Sequence, residues 1–193
     1  MTRAASGYTL NELLVVASII GITASVALPN LAGHRQEARL TAAARSFKDE
    51  FMRARSIAAR GNTQTAIRFE TDATGDTSYS TYIDGNFNGV LTTDINRGLD
   101  RRIAGPFRLD AAEDGVEVGV IPGTTSPDGG PLGSEPIRFG STKMVSFSPL
   151  GTGTPGTFYL RTRVSMAAVR VTGGSARVRI MILRGKRWIT QEG

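Results

Sequence analysis

The chain has 193 residues, a formal net charge of +6, 40% hydrophobic residues, 23 glycines, 8 prolines, one histidine and no cysteine. That length suggests one domain plus an appendage. The lack of cysteine excludes disulfides and thiolate metal centres, and a lone His34 is a poor start for a histidine metal site or a catalytic triad. Frequent glycine and proline fit a domain of short β-strands better than a helical one.

Charge is unevenly placed. Between Arg161 and Arg187 stand eight basic residues and no acid, whereas the stretch from Glu70 to Glu117 holds most of the carboxylates. Such asymmetry points to an anionic partner or to a charged contact between subunits.

The chain begins with six residues, Gly7, then Tyr8-Thr9-Leu10-Asn11-Glu12 and an almost wholly apolar run to Leu28. A secretory signal peptide puts its cleavage site after the apolar run. Here the candidate processing site lies before it, so the run stays with the mature protein as an anchor. From 13 to 31, interrupted by Pro29, it spans about 19 residues and nearly crosses a hydrocarbon layer of ~30 Å. Arg3 lies on one side and His34, Arg35 and Arg39 on the other, so charge leaves the orientation ambiguous. Glu12 is the odd residue. It either snorkels to a polar surface or pairs with a cation on a neighbouring chain.

The register Gly7-Tyr8-Thr9-Leu10-Asn11-Glu12-Leu13-Leu14-Val15-Val16 resembles the prepilin signature of type IV pilins and type II secretion pseudopilins. The resemblance implies cleavage after Gly7 by a prepilin peptidase and methylation of the new N-terminus at Tyr8. It implies a bacterial inner-membrane protein, single-pass, with a periplasmic head, that enters a filament. It also implies an assembly role for Glu12, whose carboxylate would meet the N-terminal amine of an adjacent subunit, and for Pro29, where pilin helices often bend. Tyr8 stands where phenylalanine is usual, and Asn11 where an apolar residue is usual.

Beyond Pro29 a helical pattern continues. Leu40, Ala44, Phe47, Phe51, Ala54 and Ala58 recur with the 3.6-residue period, and Gly61-Asn62 ends the helix. One helix from Tyr8 to about Arg60 would be about 80 Å long. The period then changes to two. Strands are expected over 65–69, 78–83, 116–121, 144–147, 157–163, 167–171 and 177–183, with a surface loop over 123–135. The expected fold is α+β: a long N-terminal helix, half membrane-spanning and half amphipathic, packed on one antiparallel β-sheet head as in pilins. Its domains are a leader at 1–7, a transmembrane and assembly helix at 8–31, an amphipathic helix at 32–61 and a β-rich periplasmic head at 62–193. The order of the 53–61, 145–151, 156–160 and 169–180 segments is similar to the GspH/FimT class of minor pseudopilins.

Two further constellations carry chemistry. Asp84, Asn86 and Asn88, followed by Asp94, alternate like the start of a calcium loop. The twelfth position, however, is Ile95, so no bidentate glutamate closes it, and a polar surface loop is the other reading. Calcium is therefore the one cofactor the sequence suggests. Arg161, Arg163, Arg177, Arg179, Arg184, Lys186 and Arg187 could contact DNA phosphates, with Trp188 stacking on a base. Alternatively, they form a solvated face or meet acidic subunits. No nucleophile–base–acid set and no phosphate loop is visible, so no enzyme is expected. The partners implied are the prepilin peptidase, other pilin or pseudopilin subunits, the inner membrane and, in the alternative reading, DNA.

Overall fold

The structure is a computed structural model that describes residues 7–109 and 115–191, with the side chains of 26–32 outside that description. The chain forms two compact units, 1–37 and 38–193. Helix α1, Leu10–Gly61, contributes to both.

In the first unit α1 starts in a capping box. Thr9 donates its backbone N–H and its hydroxyl to the Glu12 carboxylate, and Glu12 N–H donates back to Thr9 Oγ1. This satisfies donors that a helix start leaves orphaned. The hydroxyls of Ser18, Thr23 and Ser25 donate to the carbonyls of Leu14, Ile19 and Ile22. The helix therefore absorbs these polar groups itself.

This unit corrects the expected membrane-spanning half of the helix and the inner-membrane placement. Among the described residues no helix is long and apolar enough to cross a membrane. The transmembrane half of the helix and the single-pass inner-membrane placement are thereby withdrawn. Pro29 lies among the residues whose side chains are outside the description, and the leader up to Ser6 lies outside the described residues altogether.

In the second unit α1 presents a stripe of Leu40, Ala44, Phe51, Ala54 and Ala58, each buried. The helix ends where Asn62 takes a left-handed φ of 47° and Thr63 N–H bonds back to Ala58 O. The strands are β1 (Thr65–Thr71), β2 (Thr77–Ile83), β3 (Arg101–Arg108), β4 (Glu117–Val118), β5 (Ile137–Arg138), β6 (Met144–Phe147), β7 (Gly156–Arg161), β8 (Met166–Val171), β9 (Val178–Arg184) and β10 (Arg187–Gln191). A short helix α2, Thr92–Arg97, precedes β3.

They form two antiparallel sheets, a second correction to the single sheet expected. The first has the order β3-β2-β1-β6 and the second β10-β9-β8-β7-β4, with β5 also paired to β7. Strand β6 returns the chain to the first sheet between β5 and β7, so neither sheet is contiguous in sequence. Alternation decides which side of each sheet is apolar. One core joins the helix stripe to Ile67, Phe69, Val145 and Phe147 of the first sheet and to Phe158, Leu160, Val169 and Ile180 of the second. At its centre Phe69 stacks on Phe158 with centroids 5.1 Å apart, and Phe51 meets Phe139 edge-on at 5.8 Å. Gly156 has to be glycine, because a Cβ there would collide with the Arg138 carbonyl and the Phe139 ring.

Each sheet also carries a small cluster on its other face. Val90, with Ile95 beside it, covers Ala66, Tyr82 and Met144 of the first sheet. Val120 and Leu132 cover Tyr159, Met166 and Ala168 of the second. The segments 84–100 and 119–135 are therefore straps over the sheets, and they place the features described next.

Candidate functional site

The first feature is the N-terminal part of α1. Leu10, Leu13, Leu14, Val15, Val16, Ile19, Ile20 and Ile22 are 52–77% exposed. They fall on every side of the helix, so no single face could bury them. Burying such a side chain contributes roughly 1.5–3 kcal/mol. Gly7 and Tyr8 are exposed just ahead of this run. The Glu12 carboxyl is held below its ordinary value by Thr9, through the backbone N–H first and then the hydroxyl. Its immediate role is thus to cap its own helix, a role the sequence reading missed although Thr9-x-x-Glu12 is the capping-box pattern. His34 is exposed.

The second feature is the 84–100 strap. Asp84 Oδ1 accepts the N–H groups of Asn86 and Phe87, at 3.0 and 2.8 Å, and Oδ2 accepts Gly89 N–H at 2.8 Å. Asp94 Oδ2 accepts the side-chain amides of Asn86 and Asn88, at 3.1 and 2.9 Å. Asp100 accepts Gly85 N–H and Leu91 N–H. All three aspartates are buried. The Asp94 carboxyl is held low by Asn88 first and Asn86 second.

This arrangement holds the calcium candidates Asp84, Asn86, Asn88 and Asp94 in hydrogen bonds within the loop. A hard cation needs oxygens converging on one point. Here the asparagines turn N–H donors, not oxygens, toward Asp94, and backbone N–H groups occupy Asp84. Among the described residues no group of three or more His, Cys, Asp or Glu is placed to hold a metal.

The third feature is the basic C-terminal half, which folds into two separate clusters on the second sheet. Register aligns Arg138, Thr157, Arg170 and Arg179 in one row across β5, β7, β8 and β9, so their side chains share a face. Arg177 is exposed just before β9. Another row, Arg161, Met166, Leu183 and Trp188, lies four residues along β7, about 13 Å away. Beyond it Arg163, in the β7–β8 turn, and Arg184, Lys186 and Arg187, at the β9–β10 turn, are exposed.

Several of these side chains are engaged. Arg170 forks onto Asp128 of the 119–135 strap, at 2.7 and 2.9 Å, which holds the Asp128 carboxyl low. Arg161 pairs with Glu117 at 2.8 Å. Arg163 sits in a turn, beyond the end of β7 and not in the strand expected over 157–163, and so does not share a strand face with Arg161. Trp188 is half-buried, packs on Tyr159 and donates its indole N–H to Thr125 O at 2.8 Å. It pins the strap and is not presented for stacking on a base.

No family model, no curated protein and no solved structure matches this chain.

Proposed function

We propose that the chain is a structural filament subunit of the minor pilin and pseudopilin kind, serving a type II secretion pseudopilus or a type IV pilus. The observation that supports this best is the N-terminal part of α1, apolar on all sides and exposed throughout. An exposed apolar surface of that extent marks an interaction segment. Helices of neighbouring subunits would cover it on every side. In this proposal a prepilin peptidase cuts between Gly7 and Tyr8 and methylates the new amine. The capping box survives the cut, because Thr9 and Glu12 both remain. On assembly the Glu12 carboxylate would exchange its own helix start for the amine of an adjacent subunit.

The test is co-expression with a prepilin peptidase followed by intact-mass measurement. The expected product lacks residues 1–7 and carries one added methyl. Glu12→Leu should be cleaved yet fail to enter filaments. An uncleaved N-terminus, or normal incorporation of Glu12→Leu, would refute the reading.

The arginine row favours a second reading, a subunit that binds DNA. Arg138 and Arg179 are exposed on one face of the second sheet and Arg177 is exposed just before β9, whereas Arg170 between them is held by Asp128. Fluorescence anisotropy with a DNA duplex over a salt series tests it. Binding should fall steeply with salt and weaken in Arg138→Ala, Arg177→Ala and Arg179→Ala. No binding at low salt would remove this reading.

A further inference from the structure

Strand pairing sets Arg170 between cationic neighbours. Arg179 of β9 stands directly opposite it, and Arg138 of β5 lies two strands away across Thr157 of β7. Neighbouring strands are about 4.8 Å apart, so the row spans about 15 Å of one sheet face. Like charges directly opposite one another on a sheet repel. Arg138 and Arg179 are exposed, whereas Arg170 is half-buried and is given a counter-ion by the fold.

That counter-ion is Asp128, and it comes from the 119–135 strap. Residues 124–132 form a small hairpin there. Leu132 N–H donates to Thr124 O, Ser126 N–H to Gly130 O and Gly129 N–H to Ser126 O, and Thr125 bridges Pro131. Asp128 sits at the tip, just before Gly129 at a φ of +87°. The hairpin's anchors do not involve Asp128: Trp188 donates its indole N–H to Thr125 O, and Leu132 is buried against Tyr159, Met166 and Ala168. The Asp128 side chain is 67% exposed and meets the sheet through its fork on Arg170. The fork uses the paired donors with which an arginine grips a phosphate. Exposed pairs of this kind are weak, so a phosphate can take the place of the carboxylate.

We infer that Asp128 is a built-in competitor of the anions that the arginine row binds: it occupies Arg170 in the free protein and yields it to a phosphate of the bound strand. The inference rests on the reading of this row as a DNA contact, and adds that the free protein holds that contact partly closed. The contrary account is a structural clip, which would fix the strap and leave DNA affinity alone.

The test is fluorescence anisotropy of the full chain with a DNA duplex at low salt, using Asp128→Asn, Arg170→Ala, the double variant and Asp76→Asn. Asp76 pairs with Arg108 beside the first sheet, so Asp76→Asn makes the same change of charge away from the row. Asp128→Asn should bind about fivefold more tightly than the parent, and Asp76→Asn should stay near the parent. In the Arg170→Ala background the gain from Asp128→Asn should vanish, because no arginine is left to release. Trp188, which bonds to the strap, should keep its fluorescence in Asp128→Asn. A parent that binds through Arg138, Arg177 and Arg179 but gains nothing from Asp128→Asn would overturn this inference and leave the DNA reading standing. So would a gain matched by Asp76→Asn, a gain that persists without Arg170, or an altered Trp188 signal, which would make Asp128 part of the strap's own fold. No binding by either the parent or Asp128→Asn would remove both.

Discussion

Phe51 is the α1 residue that meets three core rings at once, so Phe51→Ala is the sharpest test of the core. Its ring is fully buried and meets Phe69, Phe139 and Phe147 at centroid distances of 6.4, 5.8 and 6.4 Å. Truncating a buried phenylalanine costs about 3–5 kcal/mol, part of it for the cavity left behind. Three lost ring contacts place this site toward the upper end. Phe51→Leu refills most of the volume and should cost about 1.5 kcal/mol. With a urea slope of about 2 kcal/mol/M, the alanine variant should unfold about 2 M earlier. Trp188, the only tryptophan, reports from the far face of the second sheet. Its fluorescence should change together with the circular dichroism if helix and sheets share one core. A cost below about 1 kcal/mol, or two separated transitions, would refute the packing argument.

Thr81 buries a hydroxyl that finds no partner, so Thr81→Val should raise stability by about 1 kcal/mol, read as a higher urea midpoint. Removing Asp84 by Asp84→Ala would strand the N–H groups of Asn86, Phe87 and Gly89, at about 2 kcal/mol. Hydrogen exchange at Phe87 should accelerate in that variant, and unchanged protection would contradict the account. Asp94 and Asp128 have carboxyls held low, by Asn88 and by Arg170 respectively. Unfolded, both titrate near about pH 4, so the unfolded chain binds more protons below that point. Their contribution is full above about pH 4 and is lost as pH falls through the folded values. Asp94→Asn should flatten the stability–pH slope in that acid window, and a slope equal to the parent's would argue against it.

Some of this was legible in the sequence because one physical signal dominated. The stripe from Leu40 to Ala58 shows through its period, and the strands at 65–69, 144–147 and 167–171 show through β-branched and aromatic runs bounded by turns. What escaped lacked such a signal. Strand β3 reads Arg-Arg-Ile-Ala-Gly-Pro-Phe-Arg, with glycine, proline and three arginines, and forms because β2 offers an edge. The second sheet could not be separated from the first by eye, since β6 is inserted between strands that belong elsewhere. Apolarity over 13–28 suggested a membrane span, whereas among the described residues no helix is long and apolar enough to cross a membrane. The arginine-rich tail looked like one patch because adjacency in sequence is not adjacency across a hairpin sheet.

The strap at 84–100 shows why the sequence suggested calcium. Asp-Gly-Asn-Phe-Asn-Gly places oxygens at alternate positions and a glycine at the turn, which is what a cation loop needs. It is also what a chain needs to fold tightly around its own N–H groups. The two uses differ in where the donors lie. In a cation loop the oxygens face one another and remain apart until the ion arrives. Here each buried carboxylate is already met by two or three N–H donors, and the asparagine amides stand beside Asp94 where an ion would have to enter. Calcium would have to displace hydrogen bonds that already satisfy the loop's carboxylates. Adding calcium to millimolar concentration should therefore leave the melting temperature unchanged to within about 1 °C. A rise that grows with calcium concentration and vanishes in Asp94→Asn would show that the amides yield to the ion and would reverse this argument.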